Sequence, residues 1–467
     1  MLVISASAQT FTTLHAFEGT DGVGPSFMSF VQGFNGTFYG ITSGGGDMAC
    51  NPPGGCGTVF RLNASGSLKT LHVFEGADGM GPEAGLIVGT DKSLYGTTTS
   101  GGDLNCNPPI GCGTVFRITP DGTLTTLHAF ELTDGAFPMA SLLQASDGNF
   151  YGTTLGGGPN SDSGGTIFKL SRDGTLNVLF SFCLSPTCHT GYEPTAPLIE
   201  GIDGKLYGTT SAGGTNACYG QGCGTVFRVT SSGRLTTLHR FGHLEGLMPR
   251  AGLVQTNDGT LFGTTVGGGL ANAGTVFRID QTGNFSTLYT FSGKQDGAEP
   301  YAPLVLGTDA SLYGTTSAGD LNSAGGTIFK ITPSGALTTL YAFCTQPDCI
   351  DGNNSFNGLL QGTNGKFYGA TTRGGVFDDG TLFSLDTGLE AFVHLPRNFG
   401  KAGGETGILG QGFTGATNVS FNGIATDFSV VSDTFIKATV PVGATTGYVT
   451  VTTPNGPLSS DTPFYVR

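Results

Sequence analysis

Two glutamates hold equivalent places in the sequence and could do chemistry together. Glu193 and Glu299 each precede a proline at the start of an apolar run, where other copies of the same segment carry uncharged residues. Two carboxylates at one site could act as acid and base on a glycan, or could coordinate a cation. The alternative, which we favour, is that both are solvated carboxylates at the rim of the fold.

Four more unrepeated residues lie near these glutamates in sequence and could bind a ligand with them. They are His189, His243, Arg250 and Tyr301. Positions that are identical in every copy of a repeat serve the fold, so a specific site is better sought where the copies differ. We therefore take this group as the candidate ligand-binding set, and the sequence predicts no metal site and no cofactor beside it.

Histidine and aspartate also recur at fixed places, where a structural role is the simpler interpretation. The histidine position is occupied by His15, His72, His128 and His239, and by Phe180, Tyr289 and Tyr341 in other copies. A position that accepts His, Tyr or Phe is typical of packing rather than of catalysis. Aspartates in Asp-Gly steps are Asp21, Asp78, Asp134 and Asp296. They could hold a structural calcium ion, but an Asx-type turn explains them equally well.

A phrase close to Leu-Tyr-Gly-Thr-Thr recurs seven times, and its period predicts the elements that must position these residues. The aromatic residues of the seven copies are Tyr39, Tyr95, Tyr151, Tyr207, Phe262, Tyr313 and Tyr368, at intervals of 51 to 56 residues. Each copy is followed by a glycine-rich loop and a segment like Gly-Thr-Val-Phe-Arg. A fixed period of about 50 residues with four short β segments is typical of propeller blades. The sequence therefore predicts a seven-bladed β-propeller with four-stranded blades.

Within each repeat we assign strands A to D, and their connections divide between two faces. The A–B and C–D connections are short turns on one face, with Asp147-Gly148 and similar steps predicting two-residue hairpin turns. The B–C and D–A connections are longer loops on the other face, where binding surfaces are commonly built. There are seven A-B-C sets but eight D-like segments. We expect the extra segment, Phe11 to Phe17, to complete the last blade, with Leu389 to Leu395 as the competing closing strand.

Ten cysteines form five close pairs in these long loops. The pairs are Cys50 with Cys56, Cys106 with Cys112, Cys183 with Cys188, Cys218 with Cys223, and Cys344 with Cys349. Because each pair lies in its own loop, the spacing favours disulfides formed in an oxidising compartment over a shared zinc site.

Composition and charge agree with an exported β protein. The chain has 81 Gly, 34 Phe and no Trp, a composition that favours short strands and tight turns. A formal charge of −14 argues against nucleic-acid and anionic-lipid partners. No stretch has the apolar length of a membrane span, so we expect no membrane insertion.

The two ends of the chain differ from the repeats. Residues 1–8 end in an Ala-x-Ala pattern and are interpreted as the tail of a signal peptide. Residues 9–394 are assigned to the propeller. Residues 395–467 consist of short alternating strands and predict a small Ig-like β-sandwich.

Both parts resemble known families. The seven units resemble the GloVer tandem repeats of bacterial secreted and surface proteins, over roughly Phe11 to Leu395. Gly410-Gln-Gly-Phe413 and Thr453-Pro-Asn-Gly456 resemble phrases of the IPT/TIG domain. The second resemblance implies an extracellular spacer or binding module, and the first implies no established chemistry.

These observations favour a non-enzymatic function. We expect a secreted or cell-surface protein that binds an extracellular polysaccharide or a surface partner. One alternative is a glycan hydrolase or lyase that uses Glu193 and Glu299 at the channel mouth. The other is a self-associating subunit of an extracellular fibre.

Overall fold

The fold is all-β, as the sequence predicts. The computed structural model describes residues 9–160, 163–183, 188–215, 218, 220–319 and 325–466. These residues form 37 β-strands and one short 3₁₀ turn, Pro347–Cys349. No helix in this part of the chain is long and apolar enough to cross a membrane. The expected signal-peptide tail, residues 1–8, lies outside the described residues.

The repeats form seven four-stranded antiparallel sheets, which we call units 1 to 7. Their strands are β1 (Thr10–Ala16), β2 (Val31–Gln32), β3 (Phe38–Thr42), β4 (Thr58–Leu62), β5 (Leu68–Val73), β6 (Ile87–Val88), β7 (Leu94–Thr98), β8 (Thr114–Ile118), β9 (Leu124–Ala129), β10 (Leu143–Gln144), β11 (Phe150–Thr154), β12 (Ser163–Leu170), β13 (Leu176–Cys183), β14 (Ile199–Glu200), β15 (Leu206–Thr210), β16 (Thr225–Val229), β17 (Leu235–Arg240), β18 (Val254–Gln255), β19 (Leu261–Thr265), β20 (Thr275–Ile279), β21 (Phe285–Thr290), β22 (Val305–Leu306), β23 (Leu312–Thr316), β24 (Thr327–Ile331), β25 (Leu337–Ala342), β26 (Leu360–Gln361), β27 (Phe367–Thr371) and β28 (Thr381–Asp386). Units 1 to 6 each take four consecutive strands, beginning with β2. This architecture is consistent with propeller-like folds.

The seventh sheet takes its outer strand from the start of the chain. Its order is β1-β28-β27-β26, and Phe11 of β1 pairs with Leu385 of β28. The prediction that the N-terminal segment completes the last sheet is therefore confirmed. The competing segment leads into the C-terminal part instead, where His394 bridges to Leu409.

The recurring aromatic-glycine step has a packing reason. A Cβ atom on Gly96 of β7 would lie 2.6 Å from the ring of Phe116 on β8, which is fully buried. Glycine is therefore required where the strand C phenylalanine lies across strand B. The same contact recurs in the other six units, at Gly40, Gly152, Gly208, Gly263, Gly314 and Gly369.

Hydrogen bonds join neighbouring units, and they also join the last unit to the first. The Thr97 hydroxyl of unit 2 donates to the Ala140 carbonyl of unit 3 at 3.3 Å, and similar bonds recur between later units. At the junction of units 7 and 1, the Met28 N–H donates to Asn357 Oδ1 at 3.0 Å. Asn357 Nδ2 donates in turn to the Pro25 carbonyl at 2.7 Å.

The long loops share one face, which we call the loop face. In each unit a D–A loop residue forms a β-bridge with the B–C loop that follows it, as Met80 does with Ser100. All five predicted disulfides are formed in these loops. The half-cystines Cys56, Cys112 and Cys223 are fully buried, so these bridges fasten the loops to the core.

The opposite face, the turn face, carries the A–B and C–D turns. The prediction of two-residue A–B hairpins is wrong, because Gly148 N–H donates to the Ala145 carbonyl while Ala145 N–H donates to the Asn149 carbonyl. The loop therefore holds three residues and ends in a left-handed glycine, with φ of 85° at Gly148. The Asp147 carboxylate stabilises it by accepting the Asn149 N–H at 3.0 Å.

The remaining strands surround a hydrophobic cluster of their own. They are β29 (Phe399–Gly400), β30 (Glu405–Leu409), β31 (Asn418–Phe421), β32 (Ile424–Ala425), β33 (Phe428–Ser432), β34 (Phe435–Thr439), β35 (Val449–Thr453), β36 (Gly456–Ser459) and β37 (Tyr465–Val466). They form sheets β30-β34-β33 and β32-β31-β35-β36 and a parallel pair, β29-β37. The cluster between them includes Phe413, Ile436 and Val451.

The C-terminal strands lie against the turn face of the repeats. The ring of Phe435 is edge-on to Phe34 in the A–B turn of unit 1, with ring centres 5.1 Å apart. Lys92 of unit 2 lies over the Phe435 ring at 5.1 Å. Further contacts reach the A–B turns of units 5 and 7, at Asn257 and Thr363. The C-terminal part therefore spans from one side of the repeat array to the other.

Candidate functional site

The seven D–A loops end in a left-handed residue on the loop face. These residues are Gly24, Gly81, Phe137, Glu193, Met248, Glu299 and Asn354, with φ between 53° and 62°. A residue with a Cβ atom pays about 1 kcal/mol or more in this conformation. The conformation is held from both sides: at Glu193 the N–H donates to the Gly164 carbonyl, and the carbonyl accepts the Ser211 N–H. Five of the seven units therefore carry a side chain at a strained backbone position that glycine occupies in the other two.

A cup of about 290 Å³ opens beside these residues, where the A strands of several units begin. In each unit one residue lies four positions before the first residue of strand A, and most of these residues line the cup. Six of the seven line the cup: Phe27, Met139, Thr195, Arg250, Tyr301 and Phe356. The seventh, Glu83, lines a neighbouring cavity, and burial raises the pKa of its carboxyl.

Small residues of neighbouring A strands lie close together beside the cup. A Cβ atom on Gly85 would lie 3.0 Å from Ser141 Oγ and 3.0 Å from the Ser29 nitrogen. A Cβ atom on Gly252 would lie 2.8 Å from Pro197. The A strands of neighbouring units therefore meet beside the cup.

One wall of the cup is aromatic. The ring of Phe356 is 5.0 Å from that of Tyr301 and 5.6 Å from that of Phe27, and the first pair meets edge to face. The Arg250 guanidinium lies over the Tyr301 ring at 5.9 Å. Burial raises the pKa of Tyr301, as does the nearby Glu299 charge, while Arg250 opposes that rise. The phenol is therefore a neutral donor at physiological pH.

Two side chains that line the cup each contain a buried polar atom with no partner within the described part of the chain. Thr195 Oγ1 and Arg250 Nε are both buried and make no hydrogen bond there. Buried polar atoms without a partner are uncommon in proteins and weaken stability. Both belong to side chains that line the cup, but the two atoms themselves are enclosed by protein.

The two candidate glutamates differ in their relation to the cup. Glu193 lines it, and its Oε2 accepts the Ser211 hydroxyl at 3.2 Å. Glu299 does not line it, and its Oε2 accepts the Ser317 hydroxyl at 3.3 Å. The structure therefore brings one glutamate, Arg250 and Tyr301 together in one recess.

The two candidate histidines lie outside the cup. The His189 ring is exposed, and its backbone carbonyl accepts a hydrogen bond from Arg240 Nε at 3.0 Å. The His243 carbonyl accepts the Gly269 N–H, which joins the D–A loop before unit 5 to the B–C loop of that unit.

The sequence-based predictions did not include the lining residues Phe27, Thr195 and Phe356. Their equivalent offset at the start of strand A was the signal that could have identified them.

The recurring histidines form an arrangement that the sequence did not predict. In unit 1 the strand D ring of His72 bonds Asp78 Oδ2 of the following loop at 2.7 Å, while Asp78 Oδ1 accepts the Glu75 N–H. We call this arrangement the loop clamp. It recurs as His15–Asp21, His128–Asp134, His239–Glu245, Tyr289–Asp296 and Tyr341–Asp351. The rings also pack edge-on against a core phenylalanine, so the packing interpretation describes part of their role.

The described residues contain no group of three or more His, Cys, Asp or Glu side chains that could hold a metal ion. The aspartates considered for calcium, such as Asp21 and Asp78, are engaged in loop clamps.

Comparison with known families identifies the repeats. A model of the Gloeobacter/Verrucomicrobia repeat matches residues 3–220 and again residues 199–428. The chain belongs to the Gloeobacter/Verrucomicrobia repeat family. The resemblance inferred from the aromatic-glycine repeats is thereby confirmed. No curated protein is significantly similar to this family member in sequence.

Solved structures are similar to it at low sequence identity. A fungal alcohol oxidase of the AA5 family, in complex with copper, is 13% identical with a TM-score of 0.52, covering 96% of this chain and 97% of that one. A periplasmic gluconolactonase of Pseudomonas aeruginosa is 17% identical with a TM-score of 0.46, covering 79% and 96%. A luciferin-regenerating enzyme is 14% identical with a TM-score of 0.41, covering 67% and 93%. At 13% identity the likeness to the alcohol oxidase concerns the fold alone.

Proposed function

We propose that this repeat protein is a secreted binding protein that holds the terminal sugar of an extracellular polysaccharide in the cup. The observation that carries the proposal is the pairing of an aromatic wall with the charged side chains of Arg250 and Glu193 in one recess. A recess of about 290 Å³ is at the small end of ligand pockets, which suits one ring better than a long chain.

The proposal includes a finer architecture. We infer that residues 9–394 are a seven-bladed propeller closed by β1, and that residues 395–467 are an Ig-like domain of the IPT/TIG type. Residues 1–8 are taken as the end of a signal peptide. The five disulfides support an oxidising compartment outside the cytoplasm.

The chemistry of the cup matches a sugar. The C–H face of a pyranose packs on aromatic rings, which Tyr301 and Phe356 provide. Its hydroxyl oxygens accept hydrogen bonds, which the Arg250 guanidinium can donate. Its hydroxyl hydrogens can be donated to the Glu193 carboxylate.

The surroundings of the cup support binding to something larger than one sugar. Nine of the ten exposed large apolar side chains in the described repeats are on the loop face. They are Met48, Leu104, Ile110, Leu132, Leu244, Leu270, Ile350, Val376 and Phe377. Apolar side chains gathered on one face are typical of an interaction surface, here one that would contact the rest of a polymer or the surface that bears it.

A glycan array followed by titration calorimetry tests the proposal. We expect wild-type protein to bind a subset of glycans that share a terminal sugar, and Tyr301→Ala and Arg250→Ala to weaken that binding at least tenfold. Arg278→Ala is the matched control, because Arg278 is an exposed arginine of the same unit that bonds Ser286 away from the cup. Absence of glycan binding, or equal loss in the control, would contradict the proposal.

The same glycans also test the hydrolase or lyase alternative. Glu193 is the carboxylate that lines the cup, so catalysis there would depend on it. If wild-type protein releases products and Glu193→Gln stops the release without weakening binding, the protein is an enzyme. If no product forms from a glycan that binds, the cup is a binding site.

A further inference from the structure

A second cavity lies at the opposite end of the molecule, between the C-terminal strands and the turn face. We call it the crevice. Its volume is about 630 Å³, more than twice that of the cup. The repeats contribute the ends of β6 and β10 and the turns that follow them, and the C-terminal part contributes β29, β30 and β34. Crevices between two packed parts of a chain are common places for ligand sites.

Positive charge is concentrated in this crevice. Four cationic side chains line it: Lys92, Arg172, Arg397 and Lys437. Within the described residues none of the four belongs to an ion pair, whereas cations elsewhere in the repeats, such as Arg117 and Lys330, are paired with aspartates. Four cations in one crevice of a chain with a formal charge of −14 form a local exception.

The carboxylates in the same crevice leave this charge largely unbalanced. Asp147 is neutralised by Lys169, whose Nζ lies 2.9 Å from Asp147 Oδ2. Although burial alone would raise the pKa of Asp147, its hydrogen bonds, first that from Lys169, lower it to about 2. Glu200 is engaged by the backbone N–H and hydroxyl of Ser146. Counting Glu200 and the exposed Glu405, two carboxylates face four cations.

The cations come from both walls of the crevice. Lys92 lies over the rings of Phe34 and Phe435, and Arg172 donates to the Thr90 hydroxyl on the turn face. From the opposite wall, the Arg397 guanidinium lies over the Phe399 ring at 4.4 Å, and Lys437 stands on β34. Charges spread over two walls match a ligand with several anions along its length better than a single small anion.

We propose that the crevice binds a segment of an acidic polysaccharide through the carboxylates of successive uronic acids. A uronic-acid polymer carries one carboxylate on every sugar, so a short segment supplies several anions in a row. Guanidinium groups bind carboxylates through two hydrogen bonds, and ammonium groups bind them as point charges. This site is independent of the cup, and it uses both the repeats and the C-terminal part.

Calorimetry with a trimer of galacturonic acid at low ionic strength tests this site. We expect wild-type protein to bind the trimer, and binding to weaken as salt is raised because exposed charges are screened. The methyl ester of the same trimer, which keeps the rings and loses the charge, is expected not to bind. Failure of the wild type to bind the acid, or equal binding of the ester, would overturn the proposal.

Variants locate the binding. Arg172→Ala/Lys437→Ala is expected to weaken trimer binding at least tenfold, and Lys437→Glu alone to weaken it further than Lys437→Ala. The control Arg234→Ala/Lys294→Ala removes the same charge from exposed residues outside the crevice and is expected to change binding less than twofold. Equal loss in the control would show a general charge effect and reject the site.

Two more comparisons distinguish the crevice from the cup and an acidic polysaccharide from an acidic peptide. Tyr301→Ala, in the cup, is expected to leave trimer binding unchanged, so failure of the proposed sugar-binding function would not affect the result. A hexamer of glutamic acid supplies the same charges on a peptide. If it binds as tightly as the trimer, the crevice recognises acidic peptides and the polysaccharide assignment is wrong.

Discussion

His128 Nε2 lies 2.8 Å from Asp134 Oδ2, so that the outer strand of unit 2 holds the loop that leads into unit 3. The other oxygen of Asp134 accepts the Glu131 N–H at 3.0 Å, and the Asp134 carbonyl accepts the Thr166 hydroxyl of unit 3. The Asp134 side chain thus joins a strand to its own loop, and the Asp134 backbone carbonyl joins that loop to the next sheet.

This arrangement makes the clamp a measurable contribution to stability. Asp134→Ala is expected to lower the free energy of unfolding by about 1.5–3 kcal/mol, because it removes charge-assisted hydrogen bonds and leaves part-buried donors unpaired. Urea unfolding followed by circular dichroism measures the change. Asp173→Ala, in an exposed C–D turn, is the control and is expected to have a smaller effect. Equal effects in the two variants would contradict the clamp.

The clamps also predict how stability depends on pH. Burial alone would raise the pKa of Asp78, but hydrogen bonds from His72 and the Glu75 N–H outweigh it and hold the pKa below the ordinary value of 3.8. Asp21 behaves in the same way through His15. A carboxyl with a lowered pKa in the folded state stabilises the fold above its unfolded pKa, and that contribution is lost as pH falls through the folded value.

We therefore expect the free energy of unfolding to fall as the pH is lowered from about 5 to 3, and to fall less in Asp78→Asn than in the wild type. Urea titrations at several pH values check this difference. If the free energy of unfolding depends on pH in the same way in the wild type and in Asp78→Asn, Asp78 is not responsible for the loss of stability at low pH.

The aromatic-glycine step gives a sharper prediction about packing. Gly96→Ala is expected to lower the free energy of unfolding by about 1–3 kcal/mol, because the new methyl group would overlap the Phe116 ring. Gly54→Ala is the matched control, since a Cβ atom there meets its nearest atom, the Asn51 carbonyl oxygen, at 3.7 Å. Thermal unfolding midpoints compare the two. If the variants are equally stable, the packing explanation of the repeat is wrong.

The left-handed residues around the cup predict a conflict between stability and binding. Glu299→Gly and Glu193→Gly are each expected to raise the free energy of unfolding by about 0.5–1 kcal/mol, because glycine adopts this conformation without strain. Only Glu193→Gly is expected to weaken sugar binding, since Glu193 lines the cup and Glu299 does not. Unfolding titrations and calorimetry measure the two properties on the same samples. A loss of stability in both variants would show that the backbone there is not strained.

Local pattern was sufficient to predict most of the fold. The Tyr95-Gly96 step and its six counterparts identified the second strand of every unit, because packing requires the same residue in each repeat. The spacing of Cys106 and Cys112 predicted their disulfide, because a bridge across so short a loop needs little information from elsewhere. The surplus strand at Phe11 was correctly predicted to pair with the last sheet, because an unpaired sheet edge is unfavourable.

The parts that were missed depend on contacts between residues far apart in sequence. Phe27 and Phe356 are separated by almost the whole repeat region, and only the meeting of units 7 and 1 brings their rings together. The docking of Phe435 on Phe34 likewise follows from the C-terminal part lying on the turn face, which no repeat pattern encodes. His72 and Asp78 are close in sequence, but the histidine was interpreted as a packing residue and the aspartate as a turn residue. Their hydrogen bond was therefore not predicted.

The pairing of β1 with β28 has a consequence for how the protein is made. Strand β1 leaves the ribosome long before β28, and it finds its partner only after the strand that ends at Asp386 has been synthesised. Until then β1 offers a free edge to other chains, and the seventh sheet lacks its outer strand. Folding of the last sheet therefore depends on synthesis of all seven repeats: a chain cut short before β28 keeps both exposed edges, and in that form it is open to aggregation and to proteolysis.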